Sequence, residues 1–600
     1  MPFRLVAAPA AWVMTDLLIC GPHAESYPDS FLESSSVYES CCKHEYDSLR
    51  SASRRFHMDE YRDVVVIGAR LAGASAASHL ARAGVDVVVL DRSSFPSDQL
   101  STHLLFPDGL NEVRKMGALD GILAHQPTKS PWLKVTMDAG TPDEFTITER
   151  WRHAGPIDYC LCVPRILQDV ELVKAARAAG ADVRERHKLV EVLWKGGRAV
   201  GVRYADPNGN QHNIYARVVL GADGRRSSVA SQVGAFEPYR ASKNGRGLVF
   251  RYADDPRFGT RDGETIFQWR DQESYAFLFP SVPAPKMLVL FMGAAEEARV
   301  ALEDGEDYWQ RKLRQHPGVA ERLNGATGFT AIRATGDTTS YFRASSGPGW
   351  ALIGDAGHFK DPVIGQGQRD ALWSGRRIAE VIAEALHDPA TLDRALQEWE
   401  HERDAECLHA YHFGNIETAV EPISPVVVNL FRRNARTDDV TPDAGDLFGR
   451  ARTMPEVLTL SRLSSGALEA AQSRGRDLAT PESRRRLLRD FRVQLQVRAE
   501  LAGKRFRSTT LIPGSDHPDP EPPKPVRQPS RVKSSTREQP AEGPTQFDVV
   551  PNTDVGSKPR PRPRPGQRRT PLSPTADKPS GSTDNPATSP NTVPVPTEAS

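Results

Sequence analysis

Apolar runs and helix-like spacings alternate along the chain from Tyr61 to about residue 510. The run VVVIG, which ends at Gly68, predicts a short buried strand, and the small residues that follow it to Gly84 predict a helix. The next run, VDVVVLD, predicts a second strand that ends at Asp91. A strand, a tight turn, a helix and a second strand in this order indicate a βαβ unit and an α/β fold.

Beyond this unit the pattern predicts one helix, two strand-rich regions and a long helical region. Gly196-Gly197 and Asn208-Gly209 each separate two apolar runs and predict hairpin turns. The predicted elements are a helix at 165–180, strands within 188–220 and 247–295, and helices at 366–387, 391–410 and over much of 456–505.

Both ends of the chain lack this periodicity. Residues 1–60 are rich in serine, and their apolar stretch is interrupted by Asp16, has no clear cleavage site and is too short to span a membrane. Residues 513–600 are dominated by proline and polar residues, which cannot bury enough apolar surface to order the chain. We expect an irregular extension and a disordered tail, whose alternating Pro and Arg residues either dock weakly on a partner or stay solvated.

The charge balance argues against one class of partner. The chain has 77 basic and 77 acidic residues, so no bulk field favours nucleic acid or an anionic membrane. Its six cysteines show neither a disulfide framework nor the paired spacing of a zinc site. Free thiols are typical of a reducing compartment, so we expect a cytoplasmic protein. The cysteine spacing and the short apolar stretch also lead us to expect no bound metal and no integral membrane segment. These features do not predict the oligomeric state.

The βαβ unit carries glycines in a spacing that is typical of dinucleotide-binding sites. Gly68 permits a sharp turn after the first strand, and Gly73 lets the helix pack close to the sheet, so that the helix N-terminus offers N–H groups to a pyrophosphate. Asp91 is placed to accept hydrogen bonds from an adenosine ribose. The residues expected to border the dinucleotide are Gly68, Ala69, Arg70, Gly73, Asp91 and Arg92.

One position departs from this fingerprint. The middle glycine of G-x-G-x-x-G is replaced by Arg70, whose side chain crowds the route by which backbone approaches phosphate. Two interpretations stay open. The glycines only pack a helix against a sheet, as in any βαβ unit, or they form a dinucleotide site in which Arg70 itself contacts the bound group.

Two further motifs combine glycine and aspartate. ARVVLGADGRRSSVA follows a predicted strand and holds Asp223 and Gly224, and GWALIGDAGHFKDPVIGQGQRDAL holds Asp355, Pro362 and a glycine-flanked helix start. In order with the βαβ unit, they resemble the motifs of the flavoprotein aromatic hydroxylases, a family of single-component FAD-dependent monooxygenases. The resemblance spans about residues 61–390 and implies that FAD is the cofactor.

The resemblance implies roles for single residues. Asp355 would accept a hydrogen bond from the ribityl chain, although an aspartate before a helix also serves as a cap. The glycines at the helix start would bring N–H groups to the negative edge of the reduced ring. The cofactor residues implied by these motifs, and by a family arginine in VPRILQDVEL, are Arg165, Asp223, Gly224, Asp355, Pro362, Gly365 and Gly367.

Three of the candidate positions keep an open alternative. Arg165 either contacts the cofactor or is a surface arginine at a helix start. His103, in SDQLSTHLL, and His358, inside the third motif, either line the flavin site together with Pro362 or are structural histidines. We assign no residue as a catalytic acid, base or nucleophile.

The implied architecture is a Rossmann-like FAD-binding domain with an inserted β-rich substrate domain, a C-terminal helical region and disordered tails. The expected segments are an extension at 1–60, the FAD-binding domain at 61–234 and 346–390, the substrate domain at 235–345, the helical region at 391–512 and the tail at 513–600.

The implied reaction is a monooxygenation. NAD(P)H would reduce FAD transiently, and reduced FAD with O2 would form a C4a-hydroperoxide that hydroxylates or epoxidises an aromatic or polyketide-like small molecule. Flavin-dependent halogenases and prenyl reductases share such an FAD domain, although the chain lacks the W-x-W-x-I-P motif of tryptophan halogenases. A flavin-stabilised scaffold without catalysis is a further alternative, since Arg70 breaks the fingerprint.

Overall fold

The computed structural model describes residues 59–139, 141–242, 245–271, 273–435, 443–473 and 481–503. The predicted N-terminal extension up to residue 58 and the predicted tail at 513–600 lie outside these described residues. No helix in the described part of the chain is both long and apolar enough to cross a lipid bilayer.

Strands and helices alternate in the first part of the described chain. The elements are β1 (Asp59–Ile67), α1 (Leu71–Arg82), β2 (Val87–Asp91), β3 (Leu104–Leu105), α2 (Pro107–Lys115), α3 (Leu119–Leu123), β4 (Trp132–Met137), β5 (Phe145–Arg150), β6 (Leu161–Cys162), α4 (Arg165–Ala178), β7 (Asp182–Glu185), β8 (Lys188–Lys195), β9 (Arg198–Ala205), β10 (Gln211–Gly221) and α5 (Ser228–Gln232).

The second part contains a group of strands followed by helices. The elements are β11 (Arg240–Ser242), β12 (Leu248–Asp254), β13 (Thr265–Asp271), β14 (Ser274–Pro280), β15 (Lys286–Met292), α6 (Glu297–Glu303), α7 (Gly305–Gln315), α8 (Pro317–Arg322), β16 (Arg333–Thr335), β17 (Ser340–Phe342), β18 (Ser346–Gly347), β19 (Trp350–Leu352), β20 (His358–Phe359), α9 (Gly367–Ala385), α10 (Pro389–Glu417), α11 (Pro425–Asn434), α12 (Asp443–Phe448), α13 (Met454–Val457), α14 (Leu460–Ser473) and α15 (Pro481–Gly503).

An eight-stranded sheet has the order β18-β19-β10-β1-β2-β7, with the hairpin β8-β9 joined to β10. Strands β19, β10, β1, β2 and β7 run parallel. Residues Val64 to Ile67 of β1 are all buried, because alternate side chains face two different hydrophobic clusters, one on each side of the sheet. A continuous apolar run is the pattern expected of a parallel strand that is covered on both faces.

A seven-stranded sheet has the order β16-β12-β15-β14-β13-β4-β5. One of its faces packs against helices from the C-terminal part of the chain, with Leu133, Val135 and Phe277 meeting Phe413 and Val426 in one cluster. The other face packs against α7 and α8, where Trp309 contributes to a separate cluster. Every residue of β14 is therefore buried.

The second sheet is assembled from distant parts of the chain. Strand β4 pairs in parallel with β13, and β5 pairs with β4, so residues 132–150 extend a sheet whose other strands lie between 248 and 335. The sequence placed residues 132–150 in the FAD-binding segment, because no local pattern encodes a pairing with a strand so far along the chain.

The local predictions between residues 59 and 503 are confirmed. The predicted helix at 165–180 is α4, and both glycine pairs lie in tight turns, Gly196-Gly197 between β8 and β9 and Asn208-Gly209 between β9 and β10. The helices predicted at 366–387 and 391–410 are α9 and the first two thirds of α10. The α/β architecture with a C-terminal helical region is confirmed as well.

Candidate functional site

The turn from β1 into α1 requires glycine at two positions. Gly68 has a φ of +103°, and a Cβ atom on it would lie 2.5 Å from the Ala222 carbonyl oxygen. A Cβ atom on Gly73 would overlap the carbonyl oxygen of Gly68. The backbone thus makes the sharp turn and the close helix–sheet contact that the sequence predicted from these two glycines.

Asp91 ties the end of β2 to this turn. One of its carboxylate oxygens accepts a hydrogen bond from the Ala69 N–H at 2.8 Å, and the other accepts one from the Ser93 N–H at 2.7 Å. The side chain is buried, whereas its neighbour Arg92 is exposed. Asp91 therefore lies at the predicted place beside the turn, with a structural hydrogen bond to each oxygen.

The side chain of Arg70 lies against a buried acid. Its guanidinium contacts the carboxylate of Asp169, which is fully buried, and also bonds to the backbone and side chain of Ser97. Arg165 binds the same carboxylate twice, through Nε at 2.7 Å and Nη2 at 3.0 Å. Two arginines share one aspartate, so the cluster keeps one net positive charge beside the start of α1.

Asp355 lies between the first turns of two helices. The preceding Gly354 has a φ of +56°, and a Cβ atom on it would lie 2.8 Å from the Ala72 Cβ of α1 and 3.5 Å from the Ala371 Cβ of α9. The Asp355 carboxylate makes no hydrogen bond within the described residues, although its backbone oxygen accepts one from the Tyr341 hydroxyl at 2.6 Å. Burial raises the pKa of Asp355, against the opposing effect of nearby arginines that include Arg225 and Arg165.

The two helices that meet at Asp355 begin without a side-chain cap. Neither Arg70, which precedes α1, nor Gln366, which precedes α9, accepts a hydrogen bond from the first turn of its helix. Gly365 has a φ of +67°, and a Cβ atom on Gly367 would meet nothing within 4 Å. Uncapped N–H groups and the positive end of each helix dipole are therefore available to an anionic ligand.

The aspartate of the Asp223-Gly224 motif binds the first turn of a helix. The Asp223 carboxylate accepts hydrogen bonds from the Ser227 hydroxyl at 2.5 Å and from the Ser228 and Val229 N–H groups at 2.6 and 3.2 Å. It holds the first turn of α5 in place. The adjacent Gly224 has a φ of +80° and open space around it, so its backbone stays accessible.

A small cavity of about 30 Å³ lies beside the loop that carries Pro362 and Gly365. Its walls are apolar apart from Thr102 and Gln268, and no ionisable side chain among the described residues lines it. The sequence identified Pro362 and Gly365 but missed the rest of the wall, because the inward face of each strand was unknown. Those lining residues are Thr102, Leu104, Phe106, Leu133, Trp151, Ile266, Gln268, Phe277, Phe279, Leu290, Met292, Val363, Ile364 and Phe448.

A larger cavity of about 140 Å³ lies further along the same sheet face. It shares Gln268 and Phe448 with the small cavity. Its remaining walls come from β4, β13 and β14 on one side and from the C-terminal helices on the other. The helical region, for which the sequence indicated no task, thus forms the roof of this cavity.

The two candidate histidines do not line either cavity. The Nδ1 atom of His103 accepts a hydrogen bond from the Arg165 N–H at 3.3 Å, and burial with the charges of Arg165 and Arg333 lowers its pKa to about 3. His358 donates from Nδ1 to the Tyr341 carbonyl oxygen at 2.9 Å and stacks on Phe342. Burial lowers the pKa of His358 as well, so both rings are neutral at neutral pH.

Three metal-type donors lie close together next to α9. The donor atoms of His358, Asp370 and Cys407 all lie within 4.8 Å of one another. Asp370 is already bound by Lys360, Arg369 and Arg450. Three basic side chains on the carboxylate oppose the binding of a metal cation, so the donors are not a metal site by their chemistry.

The geometry comprises a dinucleotide-type turn, two uncapped helices and a carboxylate between them. A family model described as "FAD binding domain" matches residues 61–409. This protein belongs to that FAD-binding family. FAD is therefore the cofactor that the fold accommodates, and the chain is an FAD-dependent oxidoreductase by family.

Relatives within this class differ in their reactions. A menaquinone reductase of Mycolicibacterium smegmatis is 27% identical over 54% of this chain and 77% of its own length. A flavin-dependent halogenase of Armillaria mellea is 23% identical over 56% of this chain and 68% of its own length. A digeranylgeranylglycerophospholipid reductase of Methanocella arvoryzae is 24% identical over 57% of this chain and 82% of its own length. The family thus indicates the cofactor and leaves the reaction open.

Solved structures show the same fold. A myxobacterial chondrochloren halogenase superposes with a TM-score of 0.53 and 22% identity over 76% of this chain and 99% of its own. A probable FAD-dependent monooxygenase of Pseudomonas aeruginosa superposes with a TM-score of 0.50 and 20% identity over 60% of this chain and 96% of its own. At these identities the likeness concerns the fold alone.

Proposed function

We propose that this protein is an FAD-dependent monooxygenase that uses NAD(P)H as a transient reductant and O2 to oxidise an apolar small molecule. The observation that carries the FAD part of this proposal is the Asp355 carboxylate, which has no hydrogen-bond partner in the described chain and lies between the uncapped starts of α1 and α9. A ribityl hydroxyl is a donor that would satisfy such an acceptor.

The residues fit the cofactor as follows. The N–H groups at the start of α1 and the net positive charge of the Arg70–Asp169–Arg165 cluster would hold the pyrophosphate. Asp91 would bind the adenosine ribose, and Gly365 and Gly367 would bring the first turn of α9 to the ring. When bound, FAD supplies the transfer of electrons and oxygen.

The small cavity beside Pro362 supports oxygen transfer to an apolar substrate. The described residues that line it include no acid or base, so they can exclude water and orient a substrate but cannot exchange a proton with it. Epoxidation of an electron-rich double bond requires no proton exchange with the protein. The lining therefore favours an alkene or aromatic ring with no group that must be deprotonated, such as a polyketide-like compound.

Reduction of a prenyl or quinone substrate is the second candidate, because two of the curated relatives are reductases. The two candidates differ in their need for oxygen. The purified protein should show two flavin absorption bands and oxidise NAD(P)H with a bound substrate. Incorporation of 18O from 18O2 would support a monooxygenase, product formation under argon would contradict it in favour of a reductase, and halide-dependent product would indicate a halogenase.

A cytoplasmic location is part of the proposal. Cys160, Cys162 and Cys407 are free and buried thiols in the structure. Burial raises the pKa of the Cys162 thiol to about 12, which keeps it protonated and unreactive. Thiols that remain unpaired at these positions are compatible with a reducing compartment.

A further inference from the structure

The large cavity and the small cavity follow one face of the seven-stranded sheet. Along β13, Ile266 lines the small cavity, Gln268 lines both and Arg270 lines the large one. Along β14, Phe279 and Phe277 line the small cavity and Tyr275 the large one. Ile266 and Arg270 are four residues apart, which is roughly 13 Å along a strand, so a ligand that contacted both cavities would be an elongated molecule.

The far end of this sheet face holds an arginine with unused donors. Arg270 is only 4% exposed, and its Nη2 donates to the Glu421 carbonyl oxygen at 2.7 Å. Its Nε and Nη1 atoms are buried and have no hydrogen-bond partner in the described chain, and it forms no salt bridge there. A buried guanidinium without a carboxylate is costly, so such a group is expected to have an anionic partner.

The other charges that line the large cavity have partners of their own. Glu417 accepts a hydrogen bond from the Tyr275 hydroxyl, and Glu421 is paired with Arg489. Asp490 lies 3.8 Å from Arg489. Arg270 instead stacks on the Tyr275 ring, with its guanidinium carbon 3.9 Å from the ring centroid. Neither Nε nor Nη1 of Arg270 forms a hydrogen bond with any of these carboxylates in the described chain.

A helix start adds a second feature at the same end. Ser424, which precedes α11, and Val426 and Val427 in its first turn line the large cavity. The Ser424 side chain makes no cap hydrogen bond with this ten-residue helix. The positive end of this helix dipole therefore borders the cavity. Ser424 lies three residues after Glu421, whose carbonyl oxygen accepts the hydrogen bond from Arg270.

We propose that Arg270 binds the anionic end, a carboxylate or a phosphate, of an elongated apolar substrate whose opposite end lies beside Pro362 and Gly365. This inference rests on the proposed function only in that the cavity beside Pro362 is taken as the place of reaction. It narrows the substrate class to amphipathic anions, in which an apolar body separates the reactive group from the charge.

The test measures ligand binding to the FAD-loaded protein by isothermal titration calorimetry. The probes are decanoate, decyl phosphate and decanol, which share an apolar chain, together with acetate, which has only the charge. We expect the better of the two anions to bind about 10- to 100-fold more tightly than decanol, and acetate to show no measurable binding. The comparison of decanoate with decyl phosphate identifies which anion the site prefers.

Variants separate the role of Arg270 from a general effect. Arg270→Gln should abolish the preference for the anion and leave decanol binding unchanged, and Arg270→Lys should retain part of the preference. Arg261→Gln is the matched control, since Arg261 is an exposed arginine that stacks on Trp132 of the same sheet. If Arg270→Gln does not fold, Arg270→Lys and the wild-type probes still decide the matter.

Equal affinities for the anions and decanol in the wild type, or an unchanged preference in Arg270→Gln, would overturn the inference. Absence of flavin or of NAD(P)H oxidation would instead refute the proposed function. The two failures are distinguishable because the calorimetric preference is measured without turnover.

Discussion

One fully buried carboxylate, Asp169, holds two arginines beside the start of α1. This pairing explains how the chain accommodates an arginine where the fingerprint has glycine. The guanidinium of Arg70 is bound by Asp169 and Ser97. Arg70 is thus compatible with a dinucleotide site, and the residue that makes it so was not recognisable from the glycine spacing.

Substitutions of Arg70 and of Asp169 should lower the stability of the protein by different amounts. Arg70→Gly leaves Asp169 paired with Arg165, so we expect the free energy of unfolding to fall by about 1–3 kcal/mol. Asp169→Ala leaves two guanidiniums without their acid, and we expect a loss of about 3–5 kcal/mol. Urea unfolding followed by circular dichroism measures both, and equal losses would contradict the shared-carboxylate arrangement.

Asp355 should matter for the cofactor and little for the apoprotein. Its carboxylate has no hydrogen bond in the described chain to lose, so Asp355→Ala should leave the melting temperature of the flavin-free protein unchanged within about a degree. Loss of a charge-assisted hydrogen bond should weaken FAD binding about 10- to 100-fold. Flavin fluorescence titration measures the affinity, with exposed Asp120 changed to Ala as the control.

At the scale of elements, two helices approach each other through small residues. A Cβ atom on Gly375 of α9 would overlap the Ala72 carbonyl oxygen of α1 and lie 2.9 Å from the Ala76 nitrogen. These are backbone atoms, so the helices would have to separate. Because the first turns of both helices lie beside Asp355, we expect Gly375→Ala to lower the melting temperature by several degrees and to reduce the FAD content.

The matched control for this change is Gly414→Ala in α10, where the nearest atom to the added Cβ would be 3.7 Å away. That substitution gains helix propensity without a clash, so it should stabilise the protein slightly. Differential scanning calorimetry on both variants decides between them. A Gly375→Ala variant as stable as Gly414→Ala would show that the close approach is not required.

A carboxylate on β5 joins the second sheet to the C-terminal helices. Glu149 is buried and accepts hydrogen bonds from the Gly445 and Ala444 N–H groups of α12 at 2.7 and 3.4 Å. Burial raises the pKa of Glu149 to about 7 from its usual value near 4.5. The folded protein therefore binds a proton between these values that the unfolded chain has already released.

The sign of the pH dependence follows from this shift. The contribution of Glu149 to stability is fully present below about pH 4.5 and is lost as the pH rises through about 7. The difference in unfolding free energy between the wild type and Glu149→Gln should fall by about 3 kcal/mol over this window. Urea unfolding from pH 4.5 to 7.5 measures it, with exposed Glu237 changed to Gln as the control. A difference that does not vary with pH would contradict the prediction.

Elements with local signals were predictable from the sequence, and long-range pairings were not. The glycine turns, the strand ending at Asp91 and the helix beginning near Gly367 follow from residues that are adjacent in sequence. The parallel pairing of β4 with β13 joins residues that are far apart in sequence, so no local pattern predicts it. The strand faces that line the cavities depend on this pairing and were not predictable either. The cofactor roles of Asp355, Asp91 and the motif glycines stay predictions, whereas the location of Arg270 at a cavity end required the fold.

At the scale of the whole molecule, the C-terminal helices complete the substrate half of the protein. Phe413, Val426 and Phe431 belong to the same hydrophobic cluster as the sheet residues Leu133 and Phe277. Among the described residues, the cavity face of the sheet is thus covered mainly by helices that follow residue 389 in sequence, together with the loop of Pro362 and the residues Thr102, Leu104, Phe106 and Trp151.

A chain shortened to end at His387 should therefore fail to fold into a soluble protein. It retains most of the family-matched region but exposes the apolar face of β4, β13 and β14, and an exposed apolar surface of this kind promotes aggregation. Sedimentation and binding of a hydrophobic dye measure the outcome against the full chain. A soluble, monomeric fragment that retains FAD would show that the helices are dispensable for folding.

The shared carboxylate of Asp169 also constrains the order in which substitutions can accumulate at this site. A lineage that lost Arg70 first would keep the pair of Asp169 with Arg165 and pass through a stable intermediate. A lineage that lost Asp169 first would leave two like charges facing each other in a buried place. A change to an all-glycine fingerprint is therefore accessible by one route and blocked by the other, a case of epistasis between positions 70 and 169.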